Sequence, residues 1–305
     1  MNRRLLIDAR QTEETRVITT TNDVIDDFEY EVHSRRQLKG NIYLARVTRV
    51  EPSLQAAFIE YGGNRQGFLA FSEIHPDYYR IPVEDKKKLI AEASAQTDED
   101  LKLIENINED SALDYNEEDL KKVKKSLYRN YKIQEVIARR QILLVQVVKE
   151  ERGTKGAALT TYISIAGRYC VLMPNTPRGG GVSRKIANVT DRKRLKKVVD
   201  ELDVPTGMAV IVRTAGSKRT KTEIKRDYSN STSIWENVKN LTLESNAPFL
   251  IHEEGSLVKR AIRDLYHSDI NEVLVDGNEA YKTCKNYMKS LMPSHAKKVQ
   301  LYNDD

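Results

Sequence analysis

Residues 51–74 read EPSLQAAFIEYGGNRQGFLAFSEI, and the alternation in this stretch decides how its surroundings are read. Ala56, Phe58 and Glu60 share one parity, and Ala57, Ile59 and Tyr61 share the other. On a strand, residues of equal parity lie on one face. Phe58 therefore turns with Glu60 toward water while Ile59 turns inward. Beyond the glycine turn GGNRQG, Phe68 has Ala70 on its own face and Leu69 on the opposite one. A hairpin through that turn can set Phe58 and Phe68 side by side. Alternation leaves two readings open. Both rings fill an interior, or both form an outer platform on which bases stack for about 1–3 kcal/mol each.

Working outward, NIYLARVTRVEP, AAFIEYGG, QGFLAF, QILLVQVVKEE and ALTTYISI read as five strands ended by glycine, proline or polar turns. Five strongly twisted strands of this kind predict an OB-type barrel, whose open face suits oligonucleotides. RRLLIDA, TRVITT and DFEYEV form a β-meander before it. After Gly167 come YCVLMP, a glycine loop, the helix-like TDRKRLKKVVDEL and the strand MAVIVRTAG. SLVKRAIRDLYH places apolar residues at 257, 258, 261, 262 and 265, one helical face. NEVLVDG, EAYKTCKNYMKSL and KKVQLY then read as strand, helix and strand. The opening meander and the closing β/α units can complete one sheet around the middle of the chain.

A length of 305 residues implies two or more domains, and 39% hydrophobic residues suffice for their cores. No apolar run reaches the length of a membrane span. The LLI after MNRR is too short for a signal-peptide core, so the chain is expected in the cytoplasm. Cys170 and Cys284 stand alone, which argues against a disulfide framework or a zinc site and for a reducing compartment.

The net charge is +5, but its distribution says more. Ten acidic residues lie between Asp98 and Asp119, and eight basic ones between Lys121 and Arg140. The two halves are expected to pair as a helical hairpin, a charged insertion in the barrel. Two later basic clusters, Arg184–Lys197 and Arg213–Arg226, are framed by glycines and strands and point to a shaped anion-binding surface.

Other chemistries find little support. PRGGGVSRK lacks the order of a phosphate-binding P-loop, and the five histidines show no HExxH spacing. His252, Glu253 and Glu254 are consecutive and cannot converge on one ion. Asp8 and Asp276 sit at strand ends, where aspartates commonly cap turns.

VEPSLQAAFIEYGGNRQGFLAFSEI together with KEERGTKGAALTTYISIAGRYCVLMP resembles the ribonuclease E/G family of bacterial endoribonucleases. The similarity runs on through PRGGGVSRK, IVRTAG, APFLIHEE, VKRAIRDL and INEVLVD. It implies an α+β, multidomain fold: an S1/OB-type β-barrel inserted in an RNase H-like α/β subdomain, plus a 5′-sensor domain. The implied boundaries are 1–37 and 256–305 for the RNase H-like subdomain and 38–165 for the S1 barrel, with the insertion at about 78–132. The sensor takes 166–255.

By the same resemblance Phe58, Phe68 and Lys155 contact RNA on the barrel. Gly167, Val171, Arg213 and Thr214 hold a 5′-monophosphate, and Arg184 lies near the RNA backbone. A guanidinium fork, a hydroxyl and a close glycine backbone suit a phosphate group. The family's catalytic aspartates hold Mg²⁺ in motifs resembling AIDIN and IDFND, and a CPxCxG segment links subunits through Zn²⁺. None of these strings occurs in the 305 residues. The expectation is therefore the RNA-recognition half of such an endoribonuclease, without catalytic residues or a cofactor of its own. Its partners would be 5′-monophosphorylated single-stranded RNA, with no role for DNA, and other subunits or a separate catalytic half. The alternative is a stand-alone S1-type RNA-binding module.

Overall fold

The computed structural model describes residues 2–11, 13–33, 37–89, 91, 131–176 and 181–303. Residues 92–130, most of the proposed helical hairpin, and Pro177–Gly180 of PRGGGVSRK lie outside the described residues. The chain divides into two compact units, Met1–Leu38 with Glu254–Asp305, and Lys39–Glu253.

The first unit is one five-stranded sheet. Strands β1 (Arg3–Asp8), β2 (Glu14–Thr21) and β3 (Val24–Val32) form the antiparallel meander. Strand β14 (Glu272–Asp276) joins β1 in parallel, and β15 (Val299–Leu301) joins β14 in parallel, which gives the order β15-β14-β1-β2-β3. Alternation puts Leu5 and Ile7 on one face, where Ile7 lies in register between Val17 and Val275. All four are buried. Against the sheet pack α3 (Leu257–Arg260), which continues as a π turn through Ala261–Leu265, and α4 (Asn278–Leu291). Leu257, Val258, Ala261 and Ile262 are buried, the face expected from their spacing.

The second unit holds the barrel. Strands β4 (Ile42–Glu51), β5 (Ala56–Glu60), β6 (Gly67–Ala70), β8 (Ala158–Thr160) and β7 (Ile142–Lys149) pair in that order. The long β4 closes the ring, because Ile42–Arg46 pair with β7 and Arg46–Glu51 with β5. A further strand, β13 (Phe249–His252), lies along β4. Val47, Ala57, Ile59, Leu69, Val147 and Leu159 fill the interior, each 2% exposed or less.

The same unit carries a four-stranded sheet of order β11-β12-β10-β9, made of β9 (Ile165–Ala166), β10 (Cys170–Met173), β11 (Gly181–Val182) and β12 (Ala209–Val212). Helix α1 (Val189–Asp200) packs on β11 and β12, and α2 (Lys221–Glu244) on β9 and β10. Each has a side-chain cap that satisfies first-turn amides. Asn188 accepts from Thr190 and Asp191, and Thr220 forms a capping box with Glu223.

Candidate nucleic-acid interface

The barrel settles the position of the two phenylalanines. Phe58 and Phe68 are register partners across β5 and β6, on the face opposite the buried Ile59 and Leu69. Phe68 is 36% exposed, and the rings meet edge to face at 6.1 Å. Neither fills the interior.

A third member of this row was not found from the sequence. Arg49 lies in register with Phe58 from the β4 side, and its guanidinium carbon stands 4.4 Å from the ring centroid. Strict alternation would put Arg49 on the inward face with Val47. A β-bulge between the two resets the register and turns Arg49 outward. The equivalent shift in β7, between Val147 and Lys149, brings Lys149 opposite Ala158, the partner of Phe68. The outer row therefore runs Arg49, Phe58, Phe68, Ala158 and then Lys149 as the barrel curves. An arginine over one ring and a second ring beside it present π faces and positive charge together.

Lys155 is exposed in the hairpin turn between β7 and β8, closed by backbone bonds between Arg152 and Lys155 of 3.0 and 3.1 Å. Arg65 donates to the Gly153 carbonyl, and Glu151 accepts from Tyr61 (2.8 Å) and from the Arg65 amide (3.1 Å). These bonds fasten the turn beside GGNRQG, three residues ahead of Ala158. Burial, with Glu151 as its partner, pushes the Tyr61 hydroxyl pKa up.

The second group of candidate residues surrounds the turn 166–171. Arg213 donates from its side chain to the Gly167 carbonyl at 2.7 Å and from its amide to Tyr169 at 2.7 Å. Thr214 is exposed at the start of the 3₁₀ turn that follows. Val171 lies on β10 opposite Ile211 of β12. Ser183 bonds Val212 at 2.8 Å, which places Arg184 in the segment alongside Arg213. Partial burial and the neighbouring Arg192 bring Arg184 down to about 10, so it remains a cation at neutral pH.

Asp227, the centre of this turn, belongs to no motif recognisable in the sequence. Its carboxylate projects from α2 and is 2% exposed. It accepts from the backbone amides of Arg168 (3.0 Å), Tyr169 (2.8 Å) and Cys170 (3.0 Å) and from the Cys170 thiol (3.3 Å). Gly167 leaves the necessary room, because a Cβ there would lie 2.4 Å from an Asp227 oxygen and 2.8 Å from the Cys170 carbonyl. Burial and then Asp227 hold the Cys170 thiol pKa well above its ordinary value. The three amides are thus committed internally.

Asp8 and Asp276 are register partners on β1 and β14, and Arg10 bonds Asp276 at 3.1 Å. Among the described residues no group of three or more His, Cys, Asp or Glu is placed to hold a metal ion.

The closed five-stranded barrel is consistent with an OB type, and its outer row of a half-buried ring, an exposed ring and an arginine fits the class of barrels that bind nucleic acid. The profile described as Ribonuclease E/G family matches residues 164–305. Over 99% of its length the chain is 37% identical to ribonuclease E of Haemophilus influenzae and 36% identical to ribonuclease E of Escherichia coli, of which it covers 28% and 25%. It is 28% identical to Escherichia coli ribonuclease G, of which it covers 53%. The chain is thus similar to ribonucleases E and G along nearly its whole length, and to the family profile over its second half. It spans between a quarter and a third of these two ribonuclease E relatives and about half of the ribonuclease G relative.

Proposed function

We propose that this chain is the RNA-recognition portion of a ribonuclease E/G-type endoribonuclease acting in RNA processing and decay. The observation that carries the reading is the outer row of Arg49, Phe58 and Phe68 on a closed barrel, in a chain similar to ribonucleases E and G. Single-stranded bases stack on the rings while Arg49, Lys155 and Lys149 neutralise the backbone. The 5′-monophosphate is held by Arg213 and Thr214 on the turn shaped by Gly167 and Val171, and Arg184 meets the adjoining backbone. The sheet order β15-β14-β1-β2-β3 supports an RNase H-like subdomain, and residues 166–255 act as the 5′ sensor. Phosphodiester cleavage belongs to Mg²⁺-binding aspartates, and subunit linkage to Zn²⁺-binding cysteines, in motifs that these 305 residues do not contain. No helix among the described residues is long and apolar enough to cross a membrane, and we place the chain with its RNA in the cytoplasm.

The test is the affinity of the chain for one unstructured RNA bearing either a 5′-monophosphate or a 5′-hydroxyl. The chain should prefer the monophosphate. Phe58→Ala with Phe68→Ala should weaken both RNAs alike, by about 1–3 kcal/mol per ring. Arg213→Ala should abolish the preference and leave hydroxyl-RNA binding unchanged. Failure to bind either RNA would overturn the reading. Cleavage of the RNA by the purified chain with Mg²⁺ would overturn the assignment of chemistry to other residues.

A further inference from the structure

Helix α1 is basic beyond what its packing needs. Residues 184–201 contain seven cations (Arg184, Lys185, Arg192, Lys193, Arg194, Lys196 and Lys197) against Asp191, Asp200 and Glu201. The inward side of the helix is apolar, with Leu195, Val198 and Val199 buried. Two of the arginines fasten it. Arg192 donates to the carbonyls of Ser183 (3.0 Å) and Ile186 (3.3 Å), and Arg194 to those of Arg219 (2.9 Å) and Ser217. The helix is therefore pinned to both segments that supply the phosphate-binding side chains, the one holding Arg184 and the one holding Arg213 and Thr214. Carbonyls do not neutralise a guanidinium, so both arginines still contribute to the positive field.

Lys193, Lys196 and Lys197, at i, i+3 and i+4 spacing, form the exposed face. Much of the nearby acid is engaged elsewhere. Asp191 lies 3.5 Å from Arg194, and Glu201 pairs with Lys221. Asp200 is the carboxylate of α1 that shares the lysine face. A lysine face on a helix is ordinarily a solvated surface. This one differs in being net positive and on a helix that Arg192 and Arg194 lock to the segments carrying Arg184 and Arg213.

We propose that the Lys193, Lys196 and Lys197 face of α1 is a sequence-independent phosphate track for the body of an RNA whose 5′ end sits at Arg213. The track rests on the RNA-binding reading above and extends it to a second surface. Lysines act there as flexible point charges, suited to a backbone that passes rather than docks.

The test is a salt titration of RNA affinity for the parent chain and for Lys193→Gln with Lys196→Gln and Lys197→Gln. Glutamine keeps helix propensity and solubility, and circular dichroism confirms an intact fold. Each neutralised phosphate contributes about 0.7 to the slope of log K against log salt for a single strand, so the slope should fall by about 2. Affinity at moderate salt should weaken roughly tenfold, equally for 5′-monophosphate and 5′-hydroxyl RNA. An unchanged slope in a parent that does bind RNA overturns the track alone. That is also the outcome if the face serves an acidic protein or an anionic membrane. Loss of the 5′-phosphate preference overturns it too, since the lysines would then belong to the pocket. A parent that binds no RNA at any salt overturns the RNA reading and the track with it.

Discussion

The barrel platform and the turn at residues 166–171 are built in opposite ways. The platform is local. Phe58 and Phe68 lie on adjacent strands of one hairpin, and their register is fixed by the ladder and by the buried Ile59 and Leu69 behind them. The turn is assembled from a distance, its three amides folded around a carboxylate that lies 57 to 59 residues further along the chain. On the platform the side chains that would meet a ligand are not those that hold the fold. At the turn, Arg213, the side chain that would meet a ligand, also bonds the Gly167 carbonyl, next to the amides folded around Asp227. The comparison implies that one site can be stripped without harm to the protein and the other cannot.

The sharpest way to break that comparison is Asp227→Ala. Three buried amides would lose their acceptor, each at about 1–3 kcal/mol, and Gly167 would face a cavity. We expect a loss of unfolding free energy of at least about 3 kcal/mol, measured by urea denaturation. Asp227→Asn keeps an acceptor oxygen and should cost less. In RNA binding it should weaken the 5′-monophosphate preference while leaving hydroxyl-RNA affinity intact. A cost below about 1 kcal/mol for the alanine variant would mean that the turn holds its own shape.

The reason one site was legible and the other was not lies in the same difference. Strands β1 to β8, β12, β14 and β15 announce themselves by alternation or apolar runs between turn residues, and the apolar face of residues 257–262 by its helical spacing. Alternation also turned Ile59 inward but left two positions open for Phe58 and Phe68, which the register of β5 and β6 then decides. It failed at Arg49 and Lys149, because a bulge inserts one residue and reverses the parity rule from that point. Helix α2 was not recognised at all. Its buried face is Ile224, Asp227, Ser231, Trp235 and Val238, so two of its inward positions are polar and break the hydrophobic pattern. Its Ser, Thr and Asn content further weakens any propensity signal. A Thr220–Glu223 capping box was the available clue. Asp227 could not be inferred without that helix.

The platform side of the comparison is sharpened by stability measurements on Phe58→Ala with Phe68→Ala. The rings pack edge to face on the outside, so their removal should cost about 1 kcal/mol or less, against the larger loss for Asp227→Ala. A loss as large as that of Asp227→Ala would make the rings structural and erase the distinction.

The smallest expected effect tests the bulge itself. If the bulge in β4 exists to turn Arg49 outward, Arg49→Gln should leave the unfolding midpoint unchanged, since the side chain is exposed and its register is held by the backbone. It should weaken single-stranded RNA binding by about 0.5–1 kcal/mol, the contribution of an exposed cation over an aromatic face. The slope against salt should fall by about 0.7 if the guanidinium also neutralises one phosphate. A weaker affinity with an unchanged slope would mean that Arg49 acts by steadying the Phe58 ring rather than by meeting the backbone. An unchanged affinity would leave Arg49 out of the site and reduce the platform to the two phenylalanines.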